Sequence, residues 1–127
     1  MSGGALPPLP EAAARLRAAV LGALEELKGR EPVVLDVRPL TTITDLMVVV
    51  SGTSTRHVKA LAERAVERAR EAGFRPLSVE GEREAEWILV DLGDLVLHVM
   101  LPETRAFYEL EKLWGLAEEA PPRRAGA

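Results

Sequence analysis

The sequence predicts one mixed α/β domain, with a five-stranded sheet and about three helices. Three observations carry this. Apolar residues recur at three- and four-residue spacing in three stretches, and alternate or run continuously in five shorter ones. Gly29, Pro39, Gly52, Gly73 and Pro102 mark joints between these stretches. With 127 residues, 47% hydrophobic and 28% charged, the chain can bury one modest core and has globular rather than disordered composition.

The first helix is bracketed by Pro10, suited to a first helical position, and Gly29, read as its stop. Leu16, Val20, Leu24 and Leu27 form its apolar stripe. A strand is expected at 33–38, alternating in pattern and closed by Pro39. Residues 46–50 are apolar on both faces, which predicts a central strand covered on both sides. After Ser51-Gly52, Thr53 or Ser54 can cap a second helix that buries Val58, Leu61, Ala62, Ala65, Val66 and Ala69 and ends at Gly73. A short strand at 76–79 completes a β-α-β unit, so the strands before and after the helix should run parallel. Two apolar runs, 87–90 and 95–101, flank Asp91-Leu92-Gly93-Asp94 and read as an antiparallel hairpin. Pro102 and Glu103 open a third helix with Ala106, Phe107, Leu110, Leu113 and Trp114 on its apolar side. The domain is expected to span 10–118, with mobile tails at 1–9 and 119–127.

Composition excludes several classes of function. No apolar run approaches the roughly 18–20 residues that a bilayer span needs. The N-terminus has neither a basic region nor an apolar signal core, so a cytoplasmic location is expected. There is no cysteine for a disulfide framework, thiol catalysis or zinc. Asn and Gln are absent and Arg far exceeds Lys, which fits a heat-adapted source or, equally, a GC-rich genome. The net charge is −4, a poor basis for neutralising a phosphate backbone. That charge is local. Glu80, Glu82, Glu84, Glu86, Asp91 and Asp94 stand against the single base Arg83, so this stretch carries −5 and the remainder +1. Such a patch suits a basic partner, and equally a solvated loop.

With Asp91-Leu92-Gly93-Asp94 as the turn, Val90 should face Leu95, Leu89 should face Val96 and Trp87 should face His98. Side-chain alternation then puts Ile88, Val90, Leu95, Leu97 and Val99 on a core side. Trp87, Leu89, Asp91, Asp94, Val96, His98 and Met100 fall on the other. An aromatic, a methionine, a histidine and acids together fit a partly exposed binding surface. They also fit a face covered by a further helix, with Trp87 in a core, and the pattern leaves both open.

No catalytic constellation assembles. His57 and His98 lie on different elements without metal-ligand spacing. The turn from Val50 to Ser54 lacks the spacing of a P-loop and the further glycines of a dinucleotide fingerprint. Ser54 and His57 read as a helix cap and a surface histidine, since no nucleophile elbow surrounds them. Asp91 and Asp94 are placed to bond the backbone of their turn.

Three stretches, ITDLMVVVSGTSTRHVKALAE (43–63), LSVEGEREAEWILVDLGDLVLHVM (77–100) and RAFYELEKLW (105–114), resemble the bacterial ribosomal silencing factor family, also called Iojap-like. The resemblance spans about residues 16–114. It implies a non-enzymatic translation factor without metal or cofactor, often a homodimer in isolation. It implies docking on the large ribosomal subunit through ribosomal protein number fourteen, which hinders joining of the small subunit when nutrients are short. The fold it implies is an α/β sandwich distantly similar to nucleotidyltransferases, but the paired carboxylates of those enzymes are missing after Gly52-Thr53-Ser54. Carried onto this chain, Trp87 is the apolar anchor, extended by Leu89, His98 and Met100. Asp91, Asp94 and neighbouring glutamates pair with Lys or Arg of the partner, Tyr108 is a further contact, and ribosomal RNA is at most peripheral. The alternative is a nucleotide-binding or nucleotidyl-transferring enzyme built on the 52–54 turn.

Overall fold

The first helix begins after Pro10, whose missing N–H costs nothing at a helix start. In the computed structural model, which describes residues 6–108, this helix is α1 (Glu11–Glu26), burying Ala13, Leu16, Val20, Ala23 and Leu24. Its stop differs in detail from the sequence reading. Lys28, not Gly29, takes the left-handed conformation, with φ 60°. Lys28 N–H bonds Glu25 O at 3.1 Å and Gly29 N–H bonds Leu24 O at 2.8 Å, the paired bonds of a Schellman motif. Gly29 is required for another reason, because a Cβ there would press into the Val50 side chain. α2 (Thr55–Glu71) ends in the same motif with Gly73 at φ 97° in the left-handed position, and Phe74 N–H reaching Ala69 O. Replacing Lys28 by glycine should therefore raise stability by about 0.5–1 kcal/mol, read as an upward shift in urea midpoint.

Ser54 caps α2 by accepting the His57 backbone N–H at 3.1 Å, and of the expected buried face Val58, Leu61, Ala62, Ala65 and Ala69 are buried while Val66 is half-buried against the same core. Arg15 of α1 closes the other end, donating to Ala72 O at 3.1 Å while its guanidinium lies 5.1 Å above the Phe74 ring. Arg64 and Arg68 both grip Glu26 across the helix pair.

The strands are β1 (Arg30–Asp36), β2 (Leu46–Ser51), β3 (Ser78–Glu80), β4 (Trp87–Asp91) and β5 (Leu95–Met100). β1 starts and ends earlier than its alternation suggested. Its first residue, Arg30, pairs with Ser51 beyond an irregularity that accommodates Pro32. β2 is buried at every position, as a strand apolar on both faces should be. The order is β1-β2-β5-β4-β3, with β2 and β5 parallel and the other pairs antiparallel. β2 and β3 do run in the same direction, but β5 and β4 lie between them. β5 suits the central place because five of its six residues are apolar, whereas short, half-exposed β3 suits an edge.

The β4–β5 register is displaced by two residues from the expected one: Trp87 faces Met100, Leu89 faces His98 and Asp91 faces Val96. Leu92 N–H bonds Leu95 O, so the turn tightens to Gly93 and Asp94, with Gly93 at φ 89°. A two-residue displacement leaves the division into faces intact. Ile88, Val90, Leu95, Leu97 and Val99 are all fully buried, in the core shared with α1 and α2. The opposite face holds a second cluster: Leu35, Val37, Met47, Val49 and Met100, with Val33 and Trp87 packed against it.

α3 (Pro102–Tyr108) departs from its expected apolar side. Ala106 is exposed, while Arg105 is buried and donates to Ser51 Oγ at 3.0 Å and Arg30 O at 3.4 Å. The side chains of Phe107 and Tyr108, together with Leu110, Leu113, Trp114 and the expected tail 119–127, lie outside the described residues. Ahead of α1, Leu9 packs on the main core and Pro8 O accepts from Arg38 at 3.3 Å.

Candidate functional site

The hairpin places the sequence-named residues at three depths. Trp87, Leu89 and Asp91 are half-buried on the face opposite α1 and α2, and Asp94 is exposed at the turn. His98 and Met100 are not part of the accessible surface, at 6% and 0% exposure. They lie beneath it. Within central β5 the cover on this face is uneven: Val96, nearest the turn, is half-buried, whereas His98 and Met100 are buried; β4 has only the three residues of β3 beyond it.

His98 acts on Trp87 directly. The Trp87 Nε1–H donates to His98 Nδ1 at 3.0 Å, with the rings 6.0 Å apart and tilted by 46°. Burial pushes the His98 pKa down to about 4, so the imidazole stays neutral near pH 7 and keeps the Nδ1 lone pair that this bond needs. Met100, directly across the strand pair, belongs to the buried cluster against which the indole packs. Trp87 is thus held in one orientation from below. On the open side Leu89 faces exposed Glu80 of β3, and Asp91 faces Ser78.

Five of the six acids of this stretch fall into two groups, with Glu80 between them on β3. Glu82, Glu84 and Glu86, all exposed, lie on the loop that enters β4 at Trp87. Asp91 and Asp94 lie at the far end, about 14 Å away along the strand. The first group, with exposed Arg83 among it, precedes the tryptophan in the chain. Its loop is fixed by Gly81, at φ 91°, where any Cβ would collide with the Trp87 carbonyl. In the second group, Asp91 Oδ1 accepts the Gly93 N–H at 2.9 Å, the turn-bonding role expected for it.

Sequence reasoning missed three accessible apolar side chains: Leu40, Ile43 and Leu77, exposed by 48%, 85% and 73%. All stand at the end of the sheet that carries the Gly93 turn. The available signal was that Ile43 sits between threonines in a stretch without apolar periodicity.

The catalytic alternatives fare differently. Ser54 and His57 do not form a nucleophile and base, because the Ser54 hydroxyl takes the His57 backbone N–H. The imidazole is instead a clasp between helix ends: Nδ1 accepts the Thr53 N–H at 2.8 Å, which leaves Nε2–H to donate to Leu27 O at 2.7 Å. An open pocket of about 570 Å³ lies here, lined by Leu27, Lys28, Gly29, Arg30, Thr53 and His57. None of these is a carboxylate, so among the described residues the pocket offers no ligands for the magnesium ions of nucleotidyl transfer. Among the described residues, no cluster of three His, Asp or Glu could hold a metal. Gly52 gives α2 close approach to the sheet, since a Cβ there would press on Val58. No described helix is long and apolar enough to cross a membrane.

The family model described as "Ribosomal silencing factor during starvation" matches residues 10–125. The chain belongs to this family of ribosome-associated regulators of translation. It is 46% identical over 93 residues to the ribosomal silencing factor RsfS of Chromobacterium violaceum, covering 73% of this chain and 76% of that one. It is 40% identical over 100 residues to a mouse protein named for mitochondrial assembly of the ribosomal large subunit, covering 76% of this chain and 44% of that one. A crystal structure of a Chromobacterium violaceum protein superimposes with a TM-score of 0.80 at 40% identity, over 91% of this chain and 94% of the other. The mixed α/β fold of the family is therefore the fold of this chain.

Proposed function

We propose that this protein binds the large ribosomal subunit through ribosomal protein number fourteen and, while bound, sterically prevents the small subunit from joining. It thereby represses translation under nutrient limitation. The observation that carries this is the half-exposed Trp87, locked by His98 and Met100 and flanked by exposed Glu82, Glu84 and Glu86. A rigid aromatic anchor with a polar rim is the anatomy of an interface hot spot. The acids steer a basic partner and disfavour ribosomal RNA, which is left a peripheral contact.

The action is occupancy, without catalysis or cofactor. A domain of about 15 Å radius, by globular size scaling, obstructs intersubunit bridges simply by standing in their place. The site of action is the cytoplasm, and a homodimer is the form of the free factor.

Sucrose-gradient sedimentation tests this reading: the protein should travel with isolated large subunits and reduce 70S formation when small subunits are added. Failure to comigrate overturns it. Calorimetry with ATP and magnesium should show no binding heat, whereas saturable heat would favour the nucleotide-enzyme alternative at the pocket beside Thr53.

A further inference from the structure

We infer that the end of the sheet carrying the Gly93 turn is a second part of the docking surface, and that it receives a basic protein surface presenting an apolar side chain. This rests on the proposed binding to a large-subunit ribosomal protein and extends it to residues remote from Trp87.

Four large apolar side chains are exposed among the described residues, and three of them, Leu40, Ile43 and Leu77, share this end. Isolated exposed apolar residues need no explanation, but a group around one turn does. Hydrogen bonds join the three segments into one surface. Asp94 O accepts from both Asp45 N–H and Leu46 N–H, at 3.2 and 3.1 Å, which fastens the loop bearing Ile43 to the turn. Leu77 N–H donates to Asp91 O at 2.7 Å on the other side of the same turn. With β5 and β4 between β2 and β3, the two apolar groups straddle the turn about 14 Å apart.

The exposure of Ile43 is enforced. Leu40 and Thr41 N–H both bond Val37 O, Ile43 N–H bonds Thr41 Oγ1, and Val37 N–H bonds Asp45 O. A loop held by its own bonds loses little entropy on binding, so the contact is preorganised. The charge around it selects the partner. Asp45, Asp91 and Asp94 surround the turn, against exposed Arg75 and against Arg38, whose guanidinium is held by Asp36. Carboxylates repel nucleic acid, and a symmetric contact with a second copy would bring two net-acidic patches together. A basic protein surface satisfies both the charge and the apolar side chains.

The test uses Ile43→Ser, Leu77→Ser and the double variant, all at exposed positions, with circular dichroism to confirm the fold. Each single substitution should weaken binding to isolated large subunits, and to purified ribosomal protein number fourteen, about tenfold, and the double variant more. Wild-type affinity in the double variant, with the unsubstituted protein still bound, overturns this inference alone. Loss of self-association with unchanged subunit binding also overturns it, in favour of a second copy as the occupant. Failure of the unsubstituted protein to bind overturns both this inference and the proposed function.

Discussion

Trp87→Ala should lower affinity for isolated large subunits by about 30-fold or more, corresponding to the roughly 2–4 kcal/mol that truncating an aromatic hot spot costs. The magnitude follows from how the indole is held. Its ring is fixed by the bond to His98 Nδ1 and by packing on the cluster containing Met100 and Val49, so little side-chain entropy opposes its use as an anchor. The same substitution leaves the His98 acceptor unpaired and thins the second cluster, which should cost about 1–2 kcal/mol of stability without abolishing the fold, because the main core lies on the opposite face. Trp87→Phe separates the two effects: it keeps most of the packing, loses the Nε1–H, and should bind between wild type and Trp87→Ala. A folded Trp87→Ala protein that cosediments at wild-type levels removes Trp87 from the interface.

Acidification from pH 6.5 to pH 4 should destabilise the protein by about 3 kcal/mol through His98 alone. In the unfolded chain this imidazole takes up a proton below its ordinary value near 6.5, whereas burial in the folded protein defers protonation to about pH 4. Between these values the unfolded state binds more protons, so folding free energy is lost as pH falls, at up to about 1.4 kcal/mol per pH unit. Protonation also replaces the Nδ1 lone pair with a donor, which breaks the bond to Trp87 and releases the anchor. Asp36 contributes in a different window. Its carboxyl is held low by the bidentate Arg38, so the stability it adds disappears only as pH falls further, below the ordinary carboxylate value. Glu26, lowered by Arg68 and Arg64, belongs to the same lower window. Urea midpoints measured across pH 4–7 should show the slope in wild type and a flatter profile in His98→Gln, which keeps an acceptor for the Trp87 N–H. A wild-type profile that is flat over this range contradicts the assignment.

Much of the architecture was legible in the residues. The helix faces of α1 and α2, the Ser54 cap and the two-sided burial of β2 followed from local pattern, because each depends on neighbours within a turn or two of chain. Strand order did not. Nothing local to residues 76–80 says that β3 avoids β2 and pairs with β4; that outcome reflects competition among strands for the central position. The hairpin register also escaped, since it hangs on whether Leu92 bonds Leu95 or stays in the turn, a choice between two geometries of the same four residues.

The candidate site divides the same way. Alternation assigned Trp87, Leu89, Asp91, His98 and Met100 to one face, and the two-residue shift in register left that assignment untouched because side chains repeat every two residues. Depth was beyond reach of pattern. His98 and Met100 are buried beside the second cluster, which β1 and β2 complete, while Trp87 and Leu89 stay half-exposed on β4, beyond which only the short β3 lies.

Sequence by itself determined the order of helices and strands, the family, the acidic balance and which residues of α1, α2 and the hairpin share a face, all of which follow from local periodicity and residue chemistry. Only the tertiary structure decided that five of the six acids gather at opposite ends of a strand, that a neutral buried histidine orients the tryptophan, and that Ile43 and Leu77 flank the same turn. Those three facts depend on contacts between segments far apart in the chain, where strand order and burial, rather than local preference, set the outcome.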